Sequence, residues 1–444
     1  MSLSQKNLQA NKMLDRSYAP TGALHGLNDW LGWLETLSPT EIELGLDRVE
    51  QVLGRLQPSR AGRVIHVAGT NGKGSSVAML EALFISSGER VGAYTSPHLN
   101  YYNERIRMNG AAVSDGEIIS AFECVEAARQ HVPLTYFEFG TLAALVTFEA
   151  NKADTIILEV GMGGRLDAVN AIEPDAGIIT NVSLDHCDWL GEDIESIAAE
   201  KAGIMRSDKA FIFGALDAPN AILTVAEKIG ADLSRRGKDF DYAVESDSPG
   251  TWAWSGRRSK VSSLGMPALG GKVQLQNAAA VLALIEAMGL DELLDRQLID
   301  KAFGQLDLAG RCQLFQTDKR WLLDVAHNAA AANALSDFLA DISPGGRIIA
   351  ISGMLQDKDL GGIVSPLLEF ADAWVAVRAE SPRALAAKEL AAGIANLCDK
   401  PCLVADSLAD AMQYACTQAT AKDLILVTGS FYVVGPALQW LKRG

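Results

Sequence analysis

A chain of 444 residues with 48% hydrophobic and 21% charged side chains carries more apolar surface than one ordinary core buries and too little charge for disorder, so two folded domains are expected. A formal net charge of −16 argues against nucleic acid or an anionic membrane as a partner, because either needs a basic surface. The polar opening of the chain holds no signal-like apolar run, and no stretch reaches the roughly 18 apolar residues of a membrane span, which predicts a cytoplasmic protein.

The first strong pattern is RVIHVAG, an apolar β-rich run that passes through TNGKG into the helical SSVAMLEALFISSG. Gly69, Gly72 and Gly74 let backbone N–H groups turn inward on a polyphosphate, a helix predicted from Ser75 adds the positive end of its dipole, and Lys73 supplies a mobile charge. The spelling departs from a Walker A loop: Val67 holds the first glycine position, and Gly74 separates Lys73 from Ser75. LTYFEFGT then offers Tyr136 and Phe137 as an aromatic pair, for stacking on a heterocycle or for the core, with Thr135 and Glu138 as polar neighbours. In DTIILEVG a strand carries Glu159 to its end, where a carboxylate is a natural oxygen ligand for Mg²⁺. Asp167 follows in a glycine-rich turn, as an acceptor for ligand N–H groups or as the cap of that turn. After GIITNV come Asp185 and His186, the imidazole being a metal ligand or a partner of its acidic neighbours. Lys201 follows Glu200 on a predicted helix and reads, taken alone, as half of a surface ion pair.

From about residue 240 to 275 the pattern loosens into Ser/Gly-rich segments that predict a hairpin or loop, and helical periodicity returns from Leu275 to Met288. A second alternating series follows LAGRCQ: RWLLDVAHN, RIIAISGM, AWVAVRA, CLVAD and LILVTGS. The expected fold is therefore α/β with two domains. A P-loop-type, mostly parallel sheet is expected within residues 1–307, and a smaller Rossmann-like α/β domain within residues 308–444. Ligands of such sheets bind beyond the carboxyl ends of the strands, where the polar residues above recur. The six cysteines include no CxxC pair and read as free thiols; Cys398 and Cys402, flanking DKP, are a remote disulfide candidate.

In order, AGTNGKGS, YTSPHL, LTYFEFGT, LEVGMGGRLDAVN, SLDHCDWLG, EKAGI, LAGR and LLDVAHN make the chain similar to the folylpolyglutamate synthase and dihydrofolate synthase family of the Mur-ligase superfamily, from about Leu27 to the C-terminus. The resemblance implies an enzyme that phosphorylates a substrate carboxylate with ATP and lets the amine of L-glutamate attack the acyl phosphate, the acceptors being dihydropteroate and folates. It implies ATP contacts from Thr70, Asn71, Gly72, Lys73, Gly74, Ser75, Asn277, Arg311 and Asp324, with His327 near the base or phosphates. It implies Mg²⁺ at Ser96 and Glu159, a second Mg²⁺ at His186, a monovalent cation, and a carbamylated Lys201. Lys73, Lys201 and His186 would then be the catalytic set. Dihydropteroate would lie against Thr135, Tyr136, Phe137, Glu138, Leu166, Asp167 and Ala168, near the opening LETLSPTEIELGLDRVEQVL. Cys187 stands where the family commonly has threonine. The expected partners are small molecules only, and the expected state is a monomer. A cell-wall Mur ligase and a catalytically silent nucleotide-binding protein are the competing readings; LTYFEFGT speaks against the first, and the intact Lys73, Glu159, His186 and Lys201 against the second.

Overall fold

The structure is a computed structural model that describes residues 26–38, 43–59 and 62–443. Strands β1 (Arg63–Ala68), β2 (Val91–Tyr94), β3 (Ile106–Met108), β4 (Ala111–Ala112), β5 (Thr155–Glu159), β6 (Ala176–Ile179), β7 (Ala210–Phe213) and β8 (Asp232–Arg235) form one sheet in the order β4-β3-β2-β5-β1-β6-β7-β8. Pairs from β2 across to β8 run parallel, while β3 and β4 add an antiparallel edge. Successive strand residues face opposite sides, so Ile65 and Val67 pack in the core that holds the helices Lys73–Ser86 and Val273–Ala287. Val64 and Ala68 join Phe122, Phe139 and Leu142 on the other face. Covered on both sides, β1, β5 and β6 read as mostly apolar runs, interrupted in β1 by the buried His66.

Residues 240–265 are more regular than the sequence suggests: β9 (Asp241–Val244), β10 (Thr251–Ser255) and β11 (Lys260–Gly265) form a small antiparallel sheet. Its Trp252 and Trp254 are fully buried, and Trp254 donates its indole N–H to the Ala279 carbonyl at 3.1 Å, clamping the sheet to the helix Val273–Ala287. The hairpin reading of this stretch therefore holds, extended by a third short strand rich in serine and glycine.

A second sheet comprises β12 (Gln313–Gln316), β13 (Arg320–Leu323), β14 (Ile348–Ser352), β15 (Ala371–Ala376), β16 (Cys402–Val404) and β17 (Leu424–Thr428), ordered β12-β13-β17-β14-β15-β16. It is parallel apart from the β12/β13 pair and has its own core on each face. All six cysteines are free thiols. Within the opening LETLSPTEIELGLDRVEQVL, residues 39–42 lie outside the described residues, between the helices Leu27–Leu37 and Asp47–Leu56. Among the described residues no helix is long and apolar enough to cross a membrane.

Candidate active site

The strands β2, β5, β1 and β6 are consecutive in the first sheet, and their carboxyl ends lead into Ser96, Glu159, the glycine loop and Asn181–His186 in turn. The loop is shaped by two close approaches. A Cβ on Gly69, whose φ is +143°, would stand 1.8 Å from Thr180 Oγ1, and one on Gly72, at φ +83°, would stand 2.6 Å from Asn277 Oδ1. The Asn71 N–H donates to Asn181 Oδ1 at 3.0 Å, while Thr180 Oγ1 and Asn181 Nδ2 donate to the Asn71 carbonyl at 2.6 and 2.9 Å. The helix begins at Lys73 rather than at the predicted Ser75, with Gly72 as an N-cap that has no side chain to occupy the first N–H groups. Those donors and the helix dipole are left for an anion. Lys73 folds back over the loop and donates to the carbonyls of Gly69 and Thr70 at 3.1 and 3.2 Å.

Glu159 is buried beside this loop and accepts the Ser96 N–H at 3.1 Å. Burial raises its carboxyl above the usual range, against the pull of Lys73, the Ser96 N–H and Arg311. Burial also lowers His186 to about 4, which leaves a neutral imidazole of the kind that binds metals. Asp185 is opposed by burial, yet His186, Lys358 and His327 hold its carboxyl well below the ordinary value. Lys201 departs from the surface reading: it is only 4% exposed. Glu200 pairs instead with Arg165 at 2.8 Å. Burial, reinforced by the Lys73 ammonium, brings the Lys201 amine down to about 7.

One cavity of about 870 Å³ is lined by every residue that the sequence singled out as a contact, from Thr70 to Ser75 through Ser96, Glu159, His186 and Lys201 to Thr135–Glu138 and Leu166–Ala168, with Asn277, Arg311 and Asp324. Several of the polar members are engaged by the protein itself. Thr135 and Glu138 form the capping box of the helix Tyr136–Ala150, and the Glu138 carboxylate also accepts from Arg48 at 2.8 Å, so these polar groups also serve as a cap and a part-buried ion pair. Asp167 accepts the Met162 N–H at 2.8 Å and the Val169 N–H at 3.0 Å, which is the turn-capping role. Each of its oxygens keeps a lone pair for a ligand in the cavity. Asp324 accepts the N–H groups of Cys312 and Ala326, both at 2.8 Å, fixing the chain around Arg311. His327 lies against the Val325 carbonyl at 2.9 Å and 3.7 Å from Asp185.

Residues 67–285 match the Mur ligase middle domain and residues 310–431 the Mur ligase glutamate ligase domain. The dihydrofolate synthase/folylpolyglutamate synthase of Escherichia coli K12 is 40% identical over 416 residues, covering 93% of this chain and 95% of its own. The chain belongs to the dihydrofolate synthase/folylpolyglutamate synthase family. Its members are ligases. The Escherichia coli FolC structure in complex with DHPP and ADP superposes with a TM-score of 0.89 at 39% identity, covering 95% of this chain and 99% of that one. The Mycobacterium tuberculosis folylpolyglutamate synthase complexed with ADP gives 0.87 at 29% identity, over 94% and 98%. A family structure with Mn, AMPPNP and L-glutamate bound gives 0.86 at 39% identity, over 95% and 99%.

Beyond the motifs that place this chain in the family, sequence reasoning missed the residues that join the two sheets. Asn71 and Asn328 exchange amide hydrogen bonds at 3.0 Å, Asn328 also donates to Asp185 at 3.0 Å, and Lys358 Nζ donates to Asp185 at 2.6 Å. Asn328 and Lys358 could have been flagged only by their positions after strands, since nothing in the order of residues couples them to Asp185.

Proposed function

We propose that this ligase joins L-glutamate to dihydropteroate and to tetrahydrofolate, in each case through an acyl phosphate formed with ATP. The observation that carries this reading is the single cavity that runs from the phosphate-type loop to the Tyr136/Phe137 pair and the Asp167 turn, with Arg311 and Asp324 facing in from the second sheet. Loop N–H groups and Lys73 hold the β- and γ-phosphates, and Arg311, within electrostatic reach of Glu159, neutralises the γ-phosphate as it transfers. Asp324 holds the Arg311 segment as well as contacting the ribose, and Asn277 sets Gly72 in place. We assign the working division to residues 1–307 and 308–444, a reading supported by the gap between β11 and β12 that separates the two sheets.

Among the described residues no three His, Cys, Asp or Glu side chains form a metal cage by themselves. That suits Mg²⁺, which keeps waters and substrate phosphates and needs one or two protein ligands. Glu159 with Ser96, and the neutral His186, are the groups that would hold it, and when bound it supplies positive charge to ATP in an acidic protein. Lys201 as a carbamate would add an anion beside His186, and a monovalent cation and a monomeric state complete the reading.

The test is ADP release from ATP, Mg²⁺ and L-glutamate with dihydropteroate, tetrahydrofolate or a UDP-sugar peptide as acceptor. Release with both pterins and none with the peptide is expected; release with the peptide alone would replace this reading by that of a cell-wall ligase. Asp167→Ala supplies a second expectation. It strips acceptors from two backbone N–H groups, so it should cost about 1–3 kcal/mol of stability. Activity with both pterin acceptors should fall together, as rate assays beside thermal melts would show; a loss confined to dihydropteroate would make the residue a selective pterin contact instead.

A further inference from the structure

The half-buried arginines of this protein mostly have an acid: Arg48 pairs with Glu138, Arg63 with Glu89, Arg107 with Glu81 and Arg236 with Asp241. Among the described residues, two that line the cavity have no such partner. Arg311 is accounted for by phosphate, which leaves Arg105. Arg105 ends a short 3₁₀ turn, Tyr102–Arg105, just before β3. Its guanidinium stands 5.4 Å from the ring centres of both Tyr102 and Tyr136, and its Nε donates to His98 Nδ1 at 2.8 Å. Among the described residues no carboxylate forms an ion pair with it. An arginine desolvated against two aromatic faces and drawn also to the Tyr94 hydroxyl, in a protein of net charge −16, keeps outer N–H capacity for an anion from elsewhere. His98 adds a donor. Because Nδ1 accepts from Arg105, the ring proton sits on Nε2.

The position identifies the anion. The Thr95 N–H donates to the Arg105 carbonyl at 2.9 Å, the next residue, Ser96, donates to Glu159, and the guanidinium faces Tyr136, so Arg105 lies between the phosphate end and the aromatic end of the cavity. Resting on the function proposed above, the geometry points to Arg105 and His98 as the subsite for the non-reacting carboxylate of a folate acceptor, the α-carboxylate of its terminal glutamate. Dihydropteroate has one carboxylate, and that one reacts, so the subsite separates the two acceptors: it anchors folates and leaves dihydropteroate to its ring.

The test uses the full-length enzyme with tetrahydrofolate, its α-carboxamide analogue and dihydropteroate as acceptors. Unmodified enzyme should show a KM for the α-carboxamide higher by about tenfold or more, the loss expected for one charge-assisted bidentate contact. Arg105→Met should raise the KM for tetrahydrofolate by a similar factor, with a smaller change in kcat, and make acid and amide equivalent. It should leave the KM for dihydropteroate within about threefold, and Arg105→Lys, which keeps charge without the fork, should fall between. Equal losses on dihydropteroate and tetrahydrofolate, or a preference for acid over amide that survives in Arg105→Met, overturn the subsite. So does an unmodified enzyme indifferent to amidation, a result that needs no variant to fold. If the unmodified enzyme uses neither pterin acceptor, the proposed function falls and the subsite with it; the other negative outcomes remove the subsite alone.

Discussion

Lys73→Ala should lower turnover by on the order of a hundredfold or more, about 2.7 kcal/mol of transition-state stabilisation, while the melting temperature stays close to that of the unmodified protein. Lys73 is the first residue of its helix, and among the described residues its ammonium donates to two carbonyls of its own loop, those of Gly69 and Thr70, beyond its charge on Glu159 and Lys201. The fold therefore loses little with it. The chemistry loses the mobile charge at the point where the γ-phosphoryl group spreads its charge over three oxygens. Lys73→Arg should recover little, because a planar guanidinium does not fit where a compact ammonium swings between loop and phosphate. Steady-state rates beside thermal melts test this. Near-normal turnover in Lys73→Ala would remove the residue from the phosphate site.

Lys201→Ala should lose about a hundredfold as well, for a different reason. An amine held at about 7 by burial is substantially neutral near pH 7, and the neutral form is the one that attacks CO₂, giving a carbamate and releasing a proton. The product is an anion where the bare side chain would be a cation. Activity of the unmodified enzyme should fall in CO₂-depleted buffer and return with bicarbonate. That dependence should strengthen as pH rises through about 7, because the protonated amine below it cannot react. Small carboxylic acids should partly rescue Lys201→Ala by taking the carbamate's place. Full activity of the unmodified enzyme without CO₂, together with an unmodified mass at this residue under neutral conditions, would defeat the assignment.

What the sequence made legible follows from where its signals lie. The runs RVIHVAG and DTIILEV are buried on both faces, so tertiary packing and local pattern agree, and their strands fall where the alternation placed them. Glycine spelling located the loop, since Gly69 and Gly72 sit where a Cβ would collide with Thr180 and Asn277. Burial was less readable. Taken alone Lys201 looked like a surface cation; the family resemblance already turned that reading round, and the packed helix Ile194–Ala202 buries it. Glu138 looked like a free acceptor, because its partner Arg48 is announced by no motif, while for Asp167 the turn-cap alternative is the one its backbone N–H partners display. Arg105 passed unnoticed for the opposite reason: among the described residues no carboxylate forms an ion pair with it, and no motif spells out a missing ion pair.

The close approach of Asn277 to Gly72, which leaves no room for a side chain there, has a reach beyond nucleotide contacts. Asn277 rides on a helix almost wholly enclosed by apolar neighbours, and two residues along, the Ala279 carbonyl takes the indole proton of Trp254. The curvature of the phosphate loop is thus inherited from a sandwich in which the small antiparallel sheet is the outer slice. Such a loop cannot be transplanted as a short peptide motif. Its anion-binding shape belongs to the joint between three layers, and a graft that carried residues 69–75 without that outer slice would carry the spelling and leave the shape behind.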